Sequence, residues 1–222
     1  MPITSPISTR RTVAALLLLT FATGLVDAVS VLVLGRVFVA NMTGNAIFLG
    51  FLFVPGTGFD LTAAILAVAG FLTGAVIGGR LYRIYARRDV RRWITIALGL
   101  DALLLTVMAV LAGVGVVHYE NNSKLYFIAG LAVAFGVQNS TARQFGIPEL
   151  YTTVLTSTIV GIGVDSRLAG GAGEHEKLRW TVVFVMLAGA VIGATLTHLF
   201  VAPIVALAGG VVLVSLALFR YG

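Results

Sequence analysis

The chain has 222 residues, 59% apolar and only 11% charged, with a mean hydropathy of +1.02. A soluble domain carries about a quarter charged residues, so this composition excludes a separate soluble enzyme and describes a membrane protein with little mass outside the bilayer. The net charge of +6 comes from arginines beside apolar runs, without an aromatic-basic surface for nucleic acid, and the absence of cysteine excludes disulfides and thiolate metal sites.

Residues 1–8 read as a short polar, disordered lead. Arg10 and Arg11 before an apolar run could mark a cleaved leader, but the run over 12–34 is longer than a leader core and ends without a small-x-small site. It is expected to be a retained span. Asp27 lies about 24 Å along it from Arg11, a depth at which a carboxylate is a functional hypothesis by default: a proton or cation site, or the partner of a buried base. The plainer alternative is that Asp27 caps a local helix break near the outer interface.

The next segment, 37–54, has span length but is entered by Asn41, Thr43, Gly44 and Asn45. Asn41 or Thr43 can cap a short helix there, and Gly44 permits close backbone approach. A helix starting inside the membrane offers free N–H groups and the positive end of its dipole to an anionic or carboxylate-bearing solute; capping of the loop by its own side chains is the other reading.

Spans are expected over 61–79 and 93–117. The first carries Gly74 and Gly78, a small-xxx-small packing face. The second carries Asp101, roughly 13 Å deep, for which a proton-coupling role and pairing with a neighbouring hydroxyl are equally open. A further span over 125–140 brings Gln138 and Asn139, with Arg143 one turn beyond Asn139; Arg143 can bind an anion, pair with Glu149 or extend to the cytoplasmic interface. The second short segment, 150–164, carries Thr152, Thr153, Thr156 and Thr158, whose hydroxyls can also be satisfied by their own helix carbonyls. Spans over 180–200 and 202–219 complete the chain, the former with Gly189 and Gly193.

The chain reads as built twice. Gly24-Leu25-Val26-Asp27 lines up with Gly136-Val137-Gln138-Asn139 at an offset of 112, Thr43 with Thr156 at 113, and Gly74-Ala75-Val76-Ile77-Gly78 with Gly189-Ala190-Val191-Ile192-Gly193 at 115. The halves run over about 12–117 and 125–219 of a single membrane domain. If both short segments are re-entrant and the N-terminus is cytoplasmic, 13 of the 15 basic residues face inside and only Arg36 and Lys124 face outside; the best eight-span arrangement gives eight against seven. Six crossings make the halves inverted repeats, an arrangement of secondary transporters.

The runs Gly24-Leu25-Val26-Asp27-Ala28 and Asn41-Met42-Thr43-Gly44-Asn45 resemble the first signature of the YoaK-like family (domain of unknown function 1275). Gln138-Asn139-Ser140, Thr152-Thr153-Val154-Leu155-Thr156 and Asp165-Ser166-Arg167 resemble its second half. Ser157 follows Thr156 where many members carry Gly. The resemblance implies an integral inner-membrane protein of prokaryotes and no assigned activity.

The expected fold is all-α and polytopic: six transmembrane helices plus two short re-entrant or broken helices, as two inverted three-span repeats with cytoplasmic termini. The expected function is a secondary permease for a small solute, with Asp27 coupling to a proton or cation and Asn41, Thr43, Gly44, Asn45, Gln138, Asn139, Arg143, Thr152, Thr153, Thr156 and Asp101 as further site residues. Its partners are the lipid bilayer and the solute, and a homo-oligomer is open. No cofactor, metal site or catalytic residue is expected: the three histidines are scattered, and neither a nucleophile elbow nor a Walker phosphate loop is present. A non-transporting membrane scaffold is the first alternative, an intramembrane hydrolase using Asp27 and Asp165 the second.

Overall fold

A computed structural model describes residues 3–54, 56, 58–117, 119, 122–150, 155–197 and 199–221. Its elements are helices: α1 (Thr9–Val33), α2 (Met42–Gly50), α3 (Leu61–Leu81), α4 (Val90–Gly113), α5 (Ser123–Arg143), α6 (Leu155–Val164), α7 (Glu176–Thr197) and α8 (Val201–Tyr221). A 3₁₀ turn (Phe51–Phe53) extends α2, a π turn (Tyr82–Ala86) extends α3, and further 3₁₀ turns lie at Pro148–Leu150 and Arg167–Ala169.

Six of these helices are long and apolar enough to cross a membrane, and they fall on the six expected spans to within four residues at each end. The short segments contribute less helix than their apolar length suggests. Even with its 3₁₀ turn, the first covers 12 residues, Met42–Phe53, or about 18 Å of rise against a hydrocarbon core of about 30 Å. Neither α2 nor α6 can cross alone. Aspartates set two span entries: Asp60 accepts from the Ala63 amide (3.0 Å) ahead of α3, and Asp89 from the Arg92 amide (3.0 Å) ahead of α4.

Four helices enclose the core in the order α1, α8, α4, α5, with α7 laid along α1 and α3 along α5. The most buried spans are α1 and α5; α7 is the least. Glycines make the two outer pairs possible. A Cβ on Gly24 would fall on the Met186 carbonyl, and one on Gly189 or Gly193 on the carbonyl of Phe21 or Leu25. In the other pair, a Cβ on Gly136 would fall on the Phe71 carbonyl and one on Gly74 on that of Val133. The glycines aligned between the halves thus occupy matching contacts: Gly24 against the Gly189 stretch, and Gly136 against the Gly74 stretch. Their small-xxx-small faces let backbone approach backbone.

These contacts fix relative direction. Along α1 and α7 the contacts advance together, as they do along α3 and α5. Conversely α8 opposes α1, since Ser215 Oγ donates to the Ala15 carbonyl (3.0 Å) near the start of α1. It also opposes α4, where Arg91 donates to the Arg220 carbonyl (3.1 Å) at one end and Gly113 meets Ala202 at the other. So α1, α4 and α7 run one way, and α3, α5 and α8 the other.

Candidate functional site

The chain between α1 and α2 is non-helical over residues 37–41, beside the second half of a span. Its backbone donors need protein partners if water cannot reach them. Asp27, only 5% exposed, supplies two of them. Its Oδ1 accepts from the amides of Val39 (3.0 Å) and Ala40 (2.9 Å), while Oδ2 accepts from the Asn41 side-chain amide. Asn45, fully buried one turn into α2, takes the neighbouring residue: Oδ1 accepts from the Phe38 amide (2.9 Å) and Nδ2 donates to the Phe38 carbonyl (2.6 Å). Asp27 and Asn45 therefore clamp the break from its two sides.

Two local expectations change. Asn41 stands at the N-cap of α2, donates its side-chain amide to Asp27 and makes no capping bond. Thr43 is exposed on the first turn. Gly44 provides the close approach expected of it, but to the ring of Phe38, where a Cβ would collide. A groove of about 360 Å³ runs beside the clamp, lined by Asp27, Asn41, Phe38 and the small face of α7 at Met186, Ala190 and Ala194.

In the second half, Gln138 is wholly buried and bonds across to α1, its Nε2 donating to the Leu19 carbonyl (3.3 Å) and Thr23 Oγ1 (3.1 Å). Thr23 stands one turn before Asp27 on α1, so Gln138 lies just below the clamp. Asn139 donates to the Phe135 carbonyl (2.9 Å) on its own helix. Thr152 and Thr153 lie outside the described residues, and Thr156 is exposed on α6.

The two interrupted helices do not converge on one seam. The principal packing partner of α2 is α3, whereas α6 packs on α7 and the 148–150 turn. The first break follows α1 and the second follows α5, which runs the other way, so the breaks stand at opposite ends of the bundle. Arg143 is exposed in the last turn of α5, where a cation suits the helix dipole. Glu149, its possible partner, instead approaches Arg179 at 3.7 Å.

That arginine is the site residue the sequence reading missed. Counted there only as a cytoplasmic charge, Arg179 is 14% exposed in the first turn of α7. It donates to the Asp165 carboxylate and, at 2.8 Å, to the Gly161 carbonyl near the end of α6. It thereby ties α7, α6 and the 148–150 turn together beside the second break. No motif comparable to the Gly74–Gly78 run marks Arg179. Asp165 and Asp27 stand at separate levels of α7, one beside Arg179 and the other beside Ala190, about 16 Å apart along its axis. The two carboxylates required by the hydrolase alternative do not meet.

At the opposite end, Lys124 pairs with Asp60 at 2.9 Å. These two residues and Arg36 line a cavity of about 480 Å³ at the ends of α1, α3 and α5. Partial burial pushes the Asp60 carboxyl up, but the Ala63 amide and Lys124 outweigh it and hold it below the usual carboxylate value. Asp101 sits apart from both clamps in the core, wholly buried, with neither oxygen hydrogen-bonded among the described residues.

Comparison with known proteins places the chain. The profile of the family described as Protein of unknown function (DUF1275) matches residues 15–218. The UPF0700 transmembrane protein YoaK of Bacillus subtilis is 31% identical over 180 residues, covering 78% of this chain and 76% of that protein. No solved structure matches. The chain belongs to the DUF1275 family, and is a multi-pass membrane protein.

Proposed function

We propose that this member of the DUF1275 family is a secondary permease for a small solute, working by alternating access in a prokaryotic inner membrane with both termini cytoplasmic. The observation that carries the proposal is the placement of the breaks. One follows α1 and the other follows the oppositely directed α5, so a short helix stands at each end of the bundle, the first entered through the Asp27 and Asn45 clamp and the second tied to α7 by Arg179. Non-helical backbone at membrane depth is tolerated where protein or a water-filled cavity satisfies it, and secondary transporters use such broken helices at their sites. Opposed helix directions in the two halves, with matched glycine contacts, support an inverted repeat as the frame for rocking. The inner face is assigned by the arginine-rich ends: 13 of the 15 basic residues then lie inside.

On this reading, Asp27 and Asn45 form the outer latch, Arg179 with Asp165 and Glu149 the inner one, and the polar groups of α1 and α5 between them meet the solute. The groove beside Asp27 has a mostly apolar lining, so the choice of a permease over a scaffold rests on the paired breaks and not on a polar passage. Neither catalysis nor a cofactor enters the scheme.

The test is accumulation of radiolabelled amino acids, sugars, nucleobases and inorganic ions by vesicles containing the purified protein under an imposed proton gradient. At least one solute is expected to accumulate. With Asp27→Ala, accumulation should fall while downhill entry persists, because an unlatched outer break leaks. Absence of protein-dependent uptake across the whole panel would overturn the proposal.

A further inference from the structure

The core holds acceptor oxygens that have no donor. Asp101 presents both carboxylate oxygens and Gln138 presents Oε1; all three are buried and without a hydrogen-bond partner among the described residues. They stand at one depth. Along the antiparallel pair α4 and α5, the ring of Trp93 meets that of Phe145 at 6.0 Å, and Met108 covers Gly130 further along. Counting inward from these contacts sets Asp101 opposite residue 137, next to Gln138. Asp101 also shares its helix face with Met108, seven residues on, and therefore faces α5. Gln138 leans the other way, onto Thr23 and the Leu19 carbonyl of α1. This level is the middle of the bundle, about 17 Å from the start of α4.

A buried acceptor without a donor costs about 1–3 kcal/mol, and an unpaired buried charge far more. A proton on Asp101 removes both costs: the carboxylic O–H can donate to Gln138 Oε1, and the side chain becomes neutral. Three oxygens are too few to replace the shell of a metal cation. Among the described residues, no other ionisable group of the elements packed on α4 stands at this depth. On the elements packed against α4, the charged and titratable groups sit at the ends: Arg80 on α3, Tyr82, Arg83 and Tyr85 on the π turn, Lys124, Tyr126 and Arg143 on α5, and Arg220 and Tyr221 on α8. Its own Arg91 and Arg92 lie in the first turn, and Asp27 on α1 is committed to the break.

We infer that Asp101, with Gln138 as its hydrogen-bond acceptor, is an exchangeable proton site at mid-membrane, and that its carboxyl rather than that of Asp27 couples transport to the proton gradient. The coupling role rests on the permease reading; the proton site is tested apart from it. Infrared difference spectra of the full chain in lipid, recorded between acidic and alkaline buffer, should show a carboxylic C=O band that shifts in D₂O. The band should vanish in the near-isosteric Asp101→Asn and persist in Asp27→Asn. In Gln138→Leu it should move to higher frequency as the hydrogen bond is lost.

The inference is overturned if the band is missing, survives Asp101→Asn, or never exchanges with D₂O. It is equally overturned if the band responds to added sodium at fixed pH instead of to protons. Spectra as expected together with no gradient-driven uptake of any panel solute would sink the permease and leave the proton site standing.

Discussion

Asp27 and Asn45 divide the work of holding one short stretch of extended backbone, and their loss should be felt in different ways. Asn45→Ala removes both bonds to Phe38 and strands its amide and carbonyl, an expected loss of about 1–2 kcal/mol. Thermal unfolding in detergent checks this; an unchanged midpoint would remove Asn45 from the clamp. Because both residues secure the same five-residue break, the double variant with Asp27→Ala should lose less than the sum of the single losses. The outer ion pair has a different signature. Asp60 is held below its unfolded value, so its contribution is complete above about pH 4 and disappears as the pH falls through the lower folded value. The unfolding midpoint of the native chain should drop on acidification below about pH 4, and Asp60→Asn should lose the part of that drop which Lys124 and the Ala63 amide cause. Identical acid profiles would contradict it. At this scale the sequence showed which residues matter better than what they do. Asp27 announced itself as a carboxylate deep in an apolar run, but its donors are backbone amides 12 and 13 residues away, which no side-chain pattern encodes.

Among the elements, the glycines separate packing from mere flexibility. Gly74 lies against the Val133 carbonyl, whereas Gly79, five residues on in the same helix, has nothing within 4 Å of its Cβ direction. Gly74→Ala should therefore destabilise the chain by about 1–3 kcal/mol through overpacking, and Gly79→Ala should be neutral or slightly stabilising. Thermal unfolding of the two variants side by side decides it, and equal effects would contradict the close α3–α5 contact. The helices themselves were readable because apolar runs of span length and polar interruptions are local properties. Their partners were partly readable, since the repeated Gly-Ala-Val-Ile-Gly run marks a contact face without saying whose backbone it meets. That α2 and α6 stop short of spanning was readable too, from the placement of the basic residues and the polar interruptions. What the interruptions bind was not readable: Asn41 is held by Asp27 of α1, a contact that exists only once α1 is in place, and Asn45 turns back on Phe38 of its own loop. The same holds for Arg179, whose partners come from α6 and the turn before it.

For the molecule as a whole, the opposed directions of α1, α4, α7 and α3, α5, α8 leave one interrupted helix at each end, and alternating access requires the two ends to respond to one another. The chain has no cysteine, so single thiols can report each end without background. Val39 is wholly buried inside the outer clamp, and Leu150 wholly buried in the 148–150 turn that follows α5. The decisive measurement is the labelling rate of Val39→Cys from outside and of Leu150→Cys from inside, each in reconstituted protein with and without Asn45→Ala. Alternating access predicts that breaking the outer clamp raises labelling at position 39 and lowers it at position 150. Rates that rise together, or a change at position 39 that leaves position 150 untouched, would show two independent ends and contradict the permease.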